Sequence, residues 1–122
     1  MNILIDTHIF LWLLKTPEKI SPAHTTILKS PNTVHLSSIS VAELMIKSSI
    51  GKLTVNFDPV EMAEKSGLKL LDFSAEDAKT MKLQPLHHKD PFDRMLISQA
   101  INRGFSIMTN DSKFKLYDCS LL

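Results

Sequence analysis

Four acidic side chains stand at positions that could build one cation site, although they are far apart in the chain. Asp6 and Asp111 each follow a short apolar segment, and Glu43 and Asp93 each stand near the start of a longer helical pattern. Carboxylate oxygens are the ligands that Mg²⁺ and Mn²⁺ prefer in proteins. A bound ion of this kind polarises a phosphoryl oxygen and lowers the pKa of an attacking water. Such residues would therefore support the hydrolysis of a phosphodiester bond.

Bringing these acids together has an electrostatic cost that itself points to a cation. Two carboxylates about 5 Å apart repel each other by roughly 3 kcal/mol at an effective dielectric constant near 20. Several such pairs cannot all stay ionised unless a positive charge lies among them. Either some of the acids are protonated or a cation is bound.

The elements that would position the acids alternate between strand and helix. Apolar segments predict the strands, and capping residues, prolines and glycines mark the helix ends. The predicted strands are 2–5, 33–36, 68–71, 105–108 and 117–120. The predicted helices are 9–15, 21–30, 40–50, 58–66, one that begins at 74, and 92–103, with a loop at 85–89. This alternation predicts an α/β fold, a single domain over residues 1–122 in which helices cover both faces of a parallel sheet.

One edge of such a sheet collects the carboxyl ends of the strands and the amino ends of the helices, and ligands bind there. The acids expected at this edge are Asp6, Glu43, Asp93, Asp111, Asp72, Glu76 and Asp77. Asp118 is expected at the opposite edge. Only the lateral order of the strands would separate the first four acids from the others, and one sequence does not reveal that order.

Each of the four acids also has a purely structural explanation. Glu43 and Ser40 match a capping box at the start of a helix. Asp93 is favoured by the helix dipole, and Asp6 and Asp111 are typical turn residues. The residues alone therefore leave open whether these acids are ligands or capping groups.

Overall charge gives no support for a generally basic nucleic-acid binder, because 14 Lys and Arg face 13 Asp and Glu for a net charge of +1. Local basic patches would have to hold any nucleic acid. The single cysteine, Cys119, excludes an intramolecular disulfide and a thiolate metal site, which fits a reducing, cytoplasmic setting. No membrane association is expected, because the apolar run 9–14 is too short to cross a bilayer and no basic segment precedes it.

Four segments together resemble a known family. They are ILIDTH at 3–8, SSISVAELMIKSSIGKL at 37–53, HHKDPFDRMLISQA at 87–100 and IMTND at 107–111. In this order and spacing, the chain resembles PIN-domain ribonucleases and, among them, the VapC-type toxins of bacterial toxin–antitoxin pairs. The resemblance covers nearly the whole chain.

The resemblance implies a three-layer sandwich with strand order 3-2-1-4-5, which would bring Asp6 beside Asp111 and leave Asp72 on an outer strand. It also implies Mg²⁺-dependent cleavage of RNA, with Mn²⁺ as an alternative ion, and a small protein antitoxin that blocks the site. The residues that match the family's catalytic, metal-binding acids are Asp6, Glu43, Asp93 and Asp111, with Asp90 as an auxiliary or alternative third acid. Thr109 and Asn110 are the expected supporting residues, and His8 stands where many relatives have Ser or Asn.

Several further residues have two interpretations each. The Thr7 hydroxyl either orients Asp6 or caps the next helix. Lys47 either contacts RNA phosphate or pairs with Glu43 one helical turn away. The other candidates for RNA contact are Lys89, Arg94 and the loop pair His87-His88. The apolar run 9–14 is expected to be mostly core, and its remainder would serve a homodimer or antitoxin interface.

Two other functions compete with RNA hydrolysis. A phosphoacceptor receiver domain has a similar length and an acidic Mg²⁺ pocket, with Asp72 as the phosphoacceptor. It would also need paired acids after the first strand and a lysine after the last one, but Asp6-Thr7-His8 has one acid and residues 117–122 contain no lysine. The second alternative is an inactive PIN-like module that only binds RNA or a protein. His8 excludes the Asp-x-Asp pattern of haloacid-dehalogenase-type phosphatases.

Overall fold

The computed structural model describes residues 1–85 and 90–122, and within them strands and helices alternate as predicted. The strands are β1 Asn2–Ile5, β2 Thr33–Ser37, β3 Lys69–Leu71, β4 Ser106–Met108 and β5 Ser120–Leu121. The helices are α1 Thr7–Lys15, α2 Pro22–Lys29, α3 Ser38–Ser49, α4 Pro59–Lys65, α5 Ala75–Thr80 and α6 Pro91–Arg103. Short 3-10 helices cover Pro17–Lys19, Met81–Leu83 and Ser112–Leu116.

All five strands form one parallel sheet in the order β3-β2-β1-β4-β5. Ile5, the last residue of β1, pairs with Leu36 of β2 on one side and with Met108 of β4 on the other. The predicted order 3-2-1-4-5 is confirmed. The chain that leaves β1 and the chain that leaves β4 therefore start from adjacent positions on the carboxyl edge.

The central strand is buried on both faces, which explains its continuous apolar sequence. Ile3 and Ile5 belong to one core cluster and Leu4 to the other, as the two-residue period of a strand requires. Residues of α1, α3 and α4 complete the first cluster, and residues of α6 complete the second. The sheet is thus the middle layer of three.

The strand order excludes a receiver domain. In the receiver order 2-1-3-4-5 the third strand lies next to the first. Here β2 separates β3 from β1, so Asp72, directly after β3, follows an outer strand. Asp72 therefore does not lie at the carboxyl edge between β1 and β4, where Asp6 follows β1.

The predicted capping box of Ser40 and Glu43 is wrong. Helix α3 begins at Ser38, and its cap is Ser37, whose hydroxyl accepts a hydrogen bond from Ile39 N at 3.0 Å. Strand β2 ends at Ser37, so the first serine after the strand takes the cap. Ser40 is then a buried residue inside the helix, and Glu43 lies in the second turn instead of the first.

Other boundaries also moved by two or three residues. Helix α1 begins at Thr7, two residues before the predicted start, because Asp6 caps it. The strand predicted at 117–120 is instead β5 at Ser120–Leu121, since Tyr117 packs into the second core cluster after a 3-10 helix. Asp118 precedes β5 and lies away from the carboxyl edge, as expected. The predicted loop 85–89 lies almost wholly outside the described residues.

Within the described residues, no helix has the length and apolar character needed to span a bilayer.

Candidate active site

Both carboxylate oxygens of Asp6 are held by hydrogen bonds at the carboxyl edge. The residue is buried, with 4% of its surface exposed, and it caps α1. Its Oδ1 accepts a hydrogen bond from Ile9 N at 2.8 Å, and its Oδ2 accepts one from the Thr109 hydroxyl at 2.5 Å. The loop after β4 thus holds the acid that follows β1.

The electrostatics of Asp6 indicate that a cation would be favourable beside it. Burial raises the pKa of Asp6 above its ordinary value, and the negative charge of Asp111 raises it further. Hydrogen bonds from Thr109 and Ile9 act in the opposite direction but do not cancel the burial. The ionised carboxylate is therefore under-compensated, and a cation would lower its free energy.

Asp111 is linked to Asp6 through the same threonine. Thr109 Oγ1 accepts a hydrogen bond from Asp111 N at 3.0 Å while it donates to Asp6. Asp111 also caps the 3-10 helix Ser112–Leu116, and its Oδ1 accepts from Lys113 N at 2.9 Å. The neighbouring Asn110 is exposed and lines the cleft beside both acids.

Glu43 is buried, with 3% of its surface exposed, and is held by side chains from two helices. The Thr7 hydroxyl donates to Glu43 Oε1 at 2.7 Å and lies 2.9 Å from the Ser40 hydroxyl. The expectation that Thr7 orients Asp6 is wrong, because the first turn of α1 directs this hydroxyl toward α3. Lys47 Nζ lies 2.6 Å from Glu43 Oε2.

Lys47 is the counter-charge of this part of the edge. The hydrogen bond with Glu43 raises the pKa of Lys47, and the negative charges of Asp90 and Asp93 raise it further. The ammonium group of Lys47 thus lies within the electrostatic reach of three of the predicted ligands. The structural interpretation of Lys47, an ion pair one turn after Glu43, is confirmed.

Asp90 and Asp93 stand together at the start of α6. Asp90 caps the helix, and its Oδ1 accepts hydrogen bonds from Phe92 N at 2.9 Å and Asp93 N at 3.4 Å. Asp93 lies in the first turn, as predicted. Arg94 follows and is half-buried. Lys89 and the pair His87-His88 lie outside the described residues.

These acids form two groups on one edge, Asp6 with Asp111 and Glu43 with Asp90 and Asp93. Among residues 1–85 and 90–122, no three His, Cys, Asp or Glu side chains stand close enough to enclose a metal ion. The donor chemistry nevertheless fits Mg²⁺ or Mn²⁺, because all five groups are carboxylates and Asp6 lacks sufficient positive charge. Lys47 balances part of the negative charge of the second group.

Acids at the same edge but outside this set have other partners. Asp77 is completely buried and pairs with Arg103, with 3.1 Å between Asp77 Oδ2 and Arg103 Nη2. It also forms a capping box with Ser74 at the start of α5. Sequence reasoning missed Ser40, whose contact with Thr7 could have been suspected from an unexplained serine inside a helix.

The comparisons with known proteins decide the family. The sequence model of the PIN domain matches residues 3–118, which is nearly the whole chain. The chain belongs to the PIN domain family. No match was found among the curated proteins.

Solved structures share the fold of this PIN domain at low sequence identity. A chain of VapBC2 from Rickettsia felis, crystallised with a DNA fragment from the promoter, has a TM-score of 0.75 at 21% identity, covering 100% of this chain and 98% of that chain. A chain of DNA-bound VapBC from Salmonella typhimurium has a TM-score of 0.70 at 20% identity, covering 100% and 97%. A chain of VapBC-1 from nontypeable Haemophilus influenzae has a TM-score of 0.69 at 19% identity, covering 100% and 97%.

Proposed function

We propose that this PIN domain is a Mg²⁺-dependent endoribonuclease, with Mn²⁺ as the alternative ion. The observation that supports it most is the buried, under-compensated carboxylate of Asp6, joined through Thr109 to Asp111, which follows the neighbouring strand. A buried acid that costs stability is typical of a site kept for function. The ligands would be Asp6, Glu43, Asp93 and Asp111, with Asp90 as an auxiliary ligand.

When bound, the ion would polarise a phosphoryl oxygen and activate water for attack on phosphorus. The chain's own residues would prepare the reaction around it. Thr109 fixes the carboxylate plane of Asp6, and Thr7 fixes that of Glu43. One of the four carboxylates would also accept a proton from the attacking water as a general base.

Basic side chains around the acids would hold the substrate backbone. Lys47 already faces the acids, and its ammonium group would contact an RNA phosphate. Arg94 and Lys89, which flank the acids at the start of α6, are the other candidates for phosphate contact. Their local positive charge would offset the near-zero net charge of the whole chain.

Substitution of Asp6 tests the proposal. Asp6→Asn removes the charge but keeps the shape, so we expect RNA cleavage with Mg²⁺ to fall by about 10²–10⁴-fold. Cleavage of a labelled single-stranded RNA by purified protein is the measurement. The matched control is Asp72→Asn, an exposed acid on the same edge beside an outer strand, which should cleave like the original chain.

Undiminished cleavage by well-folded Asp6→Asn would contradict the assignment. If the original chain binds RNA but does not cleave it, the result would instead support the inactive binding module.

We further propose that the chain is the toxin of a toxin–antitoxin pair in the cytoplasm. Support comes from the fold that it shares with chains of several VapBC complexes. A small protein antitoxin would cover the acidic edge. A homodimer would bury apolar side chains that are exposed on α3 and directly after it, namely Met45, Ile46 and Ile50. Expression of the chain should arrest growth, co-expression of the neighbouring gene's product should relieve the arrest, and Asp6→Ala should cause none.

A further inference from the structure

Three clefts lie in a row along the acidic edge and share lining residues. We name them after one side chain each. The Lys47 cleft, of about 410 Å³, contains Lys47, Lys52 and His8. The Trp12 cleft, of about 220 Å³, shares His8 with it and adds Trp12 and Asn110. The Lys115 cleft, of about 210 Å³, shares Asn110 and Asp111 with the Trp12 cleft.

The chemistry of the clefts changes along the row. The two outer clefts carry lysines: Lys47 and Lys52 in one, and Lys115 in the other. The Trp12 cleft shares residues with both and is lined by Trp12, His8 and the acids Asp6 and Asp111. Cations at both ends with aromatic rings between them match a strand whose phosphates alternate with flat bases.

Trp12 is suited to be a fixed stacking surface. It is half-buried and packs against the first core cluster while it lines the cleft, so its ring is already ordered before a ligand arrives. Stacking on an ordered ring avoids most of the entropy cost of immobilising a side chain. The exposed amide of Asn110 supplies a donor and an acceptor at the rim, which is the usual means of reading a base edge.

We propose that the Trp12 cleft is a nucleobase subsite for single-stranded RNA, in which one unpaired base stacks on Trp12 beside the acid pair. The flanking phosphates would lie in the two lysine-bearing clefts. This inference rests on the proposed function, because it names the part of the substrate that this site would recognise. A paired base cannot reach such a cleft, so the subsite would select unpaired RNA.

The single tryptophan of the chain provides a direct test. An RNA of about eight uridines is added to the original protein without divalent ions, so that binding occurs without cleavage. Stacking on Trp12 should change its fluorescence as the RNA saturates the protein. An RNA of the same length without bases should bind about 5- to 150-fold more weakly and leave the fluorescence unchanged. Polarisation of a labelled RNA measures binding independently.

Variants separate stacking from folding. Trp12→Leu should bind the base-containing and baseless RNAs equally, whereas Trp12→Phe should keep most of the difference. The matched control is Phe105→Leu, because Phe105 is a half-buried aromatic residue at the opposite edge of the sheet, beside His35. It should bind both RNAs like the original chain.

The outcomes distinguish this inference from the function on which it rests. RNA binding without any change in tryptophan fluorescence, or with equal affinity for the baseless RNA, would overturn the base subsite but leave the nuclease. No RNA binding and no cleavage would overturn both. A fluorescence change caused only by a protein partner would show that the cleft holds an apolar side chain instead of a base.

Discussion

Glu43 and Lys47 show how a buried acid at this edge of the sheet is balanced by a charge from its own helix. Glu43 is almost fully buried, and an unpaired carboxylate in that position would carry a large desolvation cost. Lys47 supplies a positive charge from the same helix, one turn away, while about a third of its side chain stays exposed. The lysine is therefore accessible to solvent or to a phosphate as well as to Glu43.

Replacement of Lys47 should expose this arrangement. Lys47→Met leaves Glu43 buried without its counter-charge, so the free energy of unfolding should fall by about 1–2 kcal/mol when no divalent ion is present. Mg²⁺ should raise the melting temperature of this variant more than that of the original chain, because it replaces the missing charge. Thermal unfolding with and without Mg²⁺ is the measurement.

The control is Lys65→Met, which breaks the same one-turn pairing with Glu61 where both side chains are exposed. Lys65→Met should lower the free energy of unfolding by at most about 0.5 kcal/mol, and Mg²⁺ should not change this loss. Equal losses for the two variants would show that Lys47 has no special role at the acidic edge.

Asp6 should respond to mutation in the opposite direction. Its folded pKa is raised, so the folded state takes up a proton more readily than the unfolded state, and ionised Asp6 costs stability at neutral pH. Asp6→Asn should therefore melt at the same temperature as the original chain or higher, while it loses cleavage. A clear loss of stability at neutral pH would mean that Asp6 serves the fold more than the chemistry.

Helices α5 and α6 are joined by one buried acid instead of by apolar packing alone. Asp77 Oδ1 accepts hydrogen bonds from Asn102 Nδ2 at 2.8 Å and Arg103 Nε at 3.1 Å. Its Oδ2 accepts from Arg103 Nη2 at 3.1 Å and from Ser74 N at 2.8 Å. Arg103 also donates to the carbonyl of Asp72, which fixes the chain after β3. This network links α5, α6 and the end of β3 through one carboxylate.

The Asp77 network between α5 and α6 predicts that the protein loses stability in acid. Burial by itself would raise the pKa of Asp77, but the hydrogen bonds from Arg103, Ser74 and Asn102 outweigh it and lower the pKa from 3.8 to about 2. The ionised side chain should therefore add about 2 kcal/mol above about pH 4, and this stability should disappear as the pH falls toward 2. Urea unfolding across this pH range measures it.

Variants of Arg103 and Asp77 should change both the size and the pH dependence of the stability that ionised Asp77 adds. Arg103→Leu leaves a buried charge unpaired and should cost about 2–3 kcal/mol at neutral pH. Lys79→Leu is the control, because Lys79 meets Glu76 at 3.5 Å on the exposed side of α5 and should cost less than about 0.5 kcal/mol. A wild-type acid profile in Asp77→Asn would show that other groups cause the transition.

The molecule as a whole has almost no net charge, so its attraction for RNA must come from where its charges lie. Three lysines stand in the two outer clefts of the acidic edge, namely Lys47, Lys52 and Lys115. Each phosphate contact releases counterions from the RNA, and the number of contacts sets the salt dependence of binding. The net charge of the chain alone would predict almost no salt dependence of RNA binding.

Salt titration measures the number of contacts. Three contacts with a single strand predict a slope of about −2 for the logarithm of the binding constant against the logarithm of salt concentration. Lys52→Gln should reduce the slope by about 0.7, whereas Lys19→Gln, on the 3-10 helix Pro17–Lys19 and outside these clefts, should not change it. A much steeper slope would place additional cations on the RNA path.

Much of the fold followed from local patterns, because those patterns act over a few residues. The apolar run before Asp6 marked the central strand, and the Ser21-Pro22 and Asp90-Pro91 pairs marked helix starts. The alternation of strands and helices was enough for a parallel α/β sheet. Local patterns did not predict the cap of α3, because Ser37, Ser38 and Ser40 are all suitable capping residues. The position at which β2 ends determines which of them caps the helix.

The chemistry of the edge was visible in the residue types, and the family resemblance supplied the strand order that the residues alone left open. Only the folded chain decided the partners of each acid: Thr109 for Asp6, Lys47 with Thr7 for Glu43, and Arg103 for Asp77. The reason is physical. A carboxylate's type and its distance from a strand end are properties of neighbouring residues, whereas its burial and its counter-charge depend on groups that packing brings from other elements.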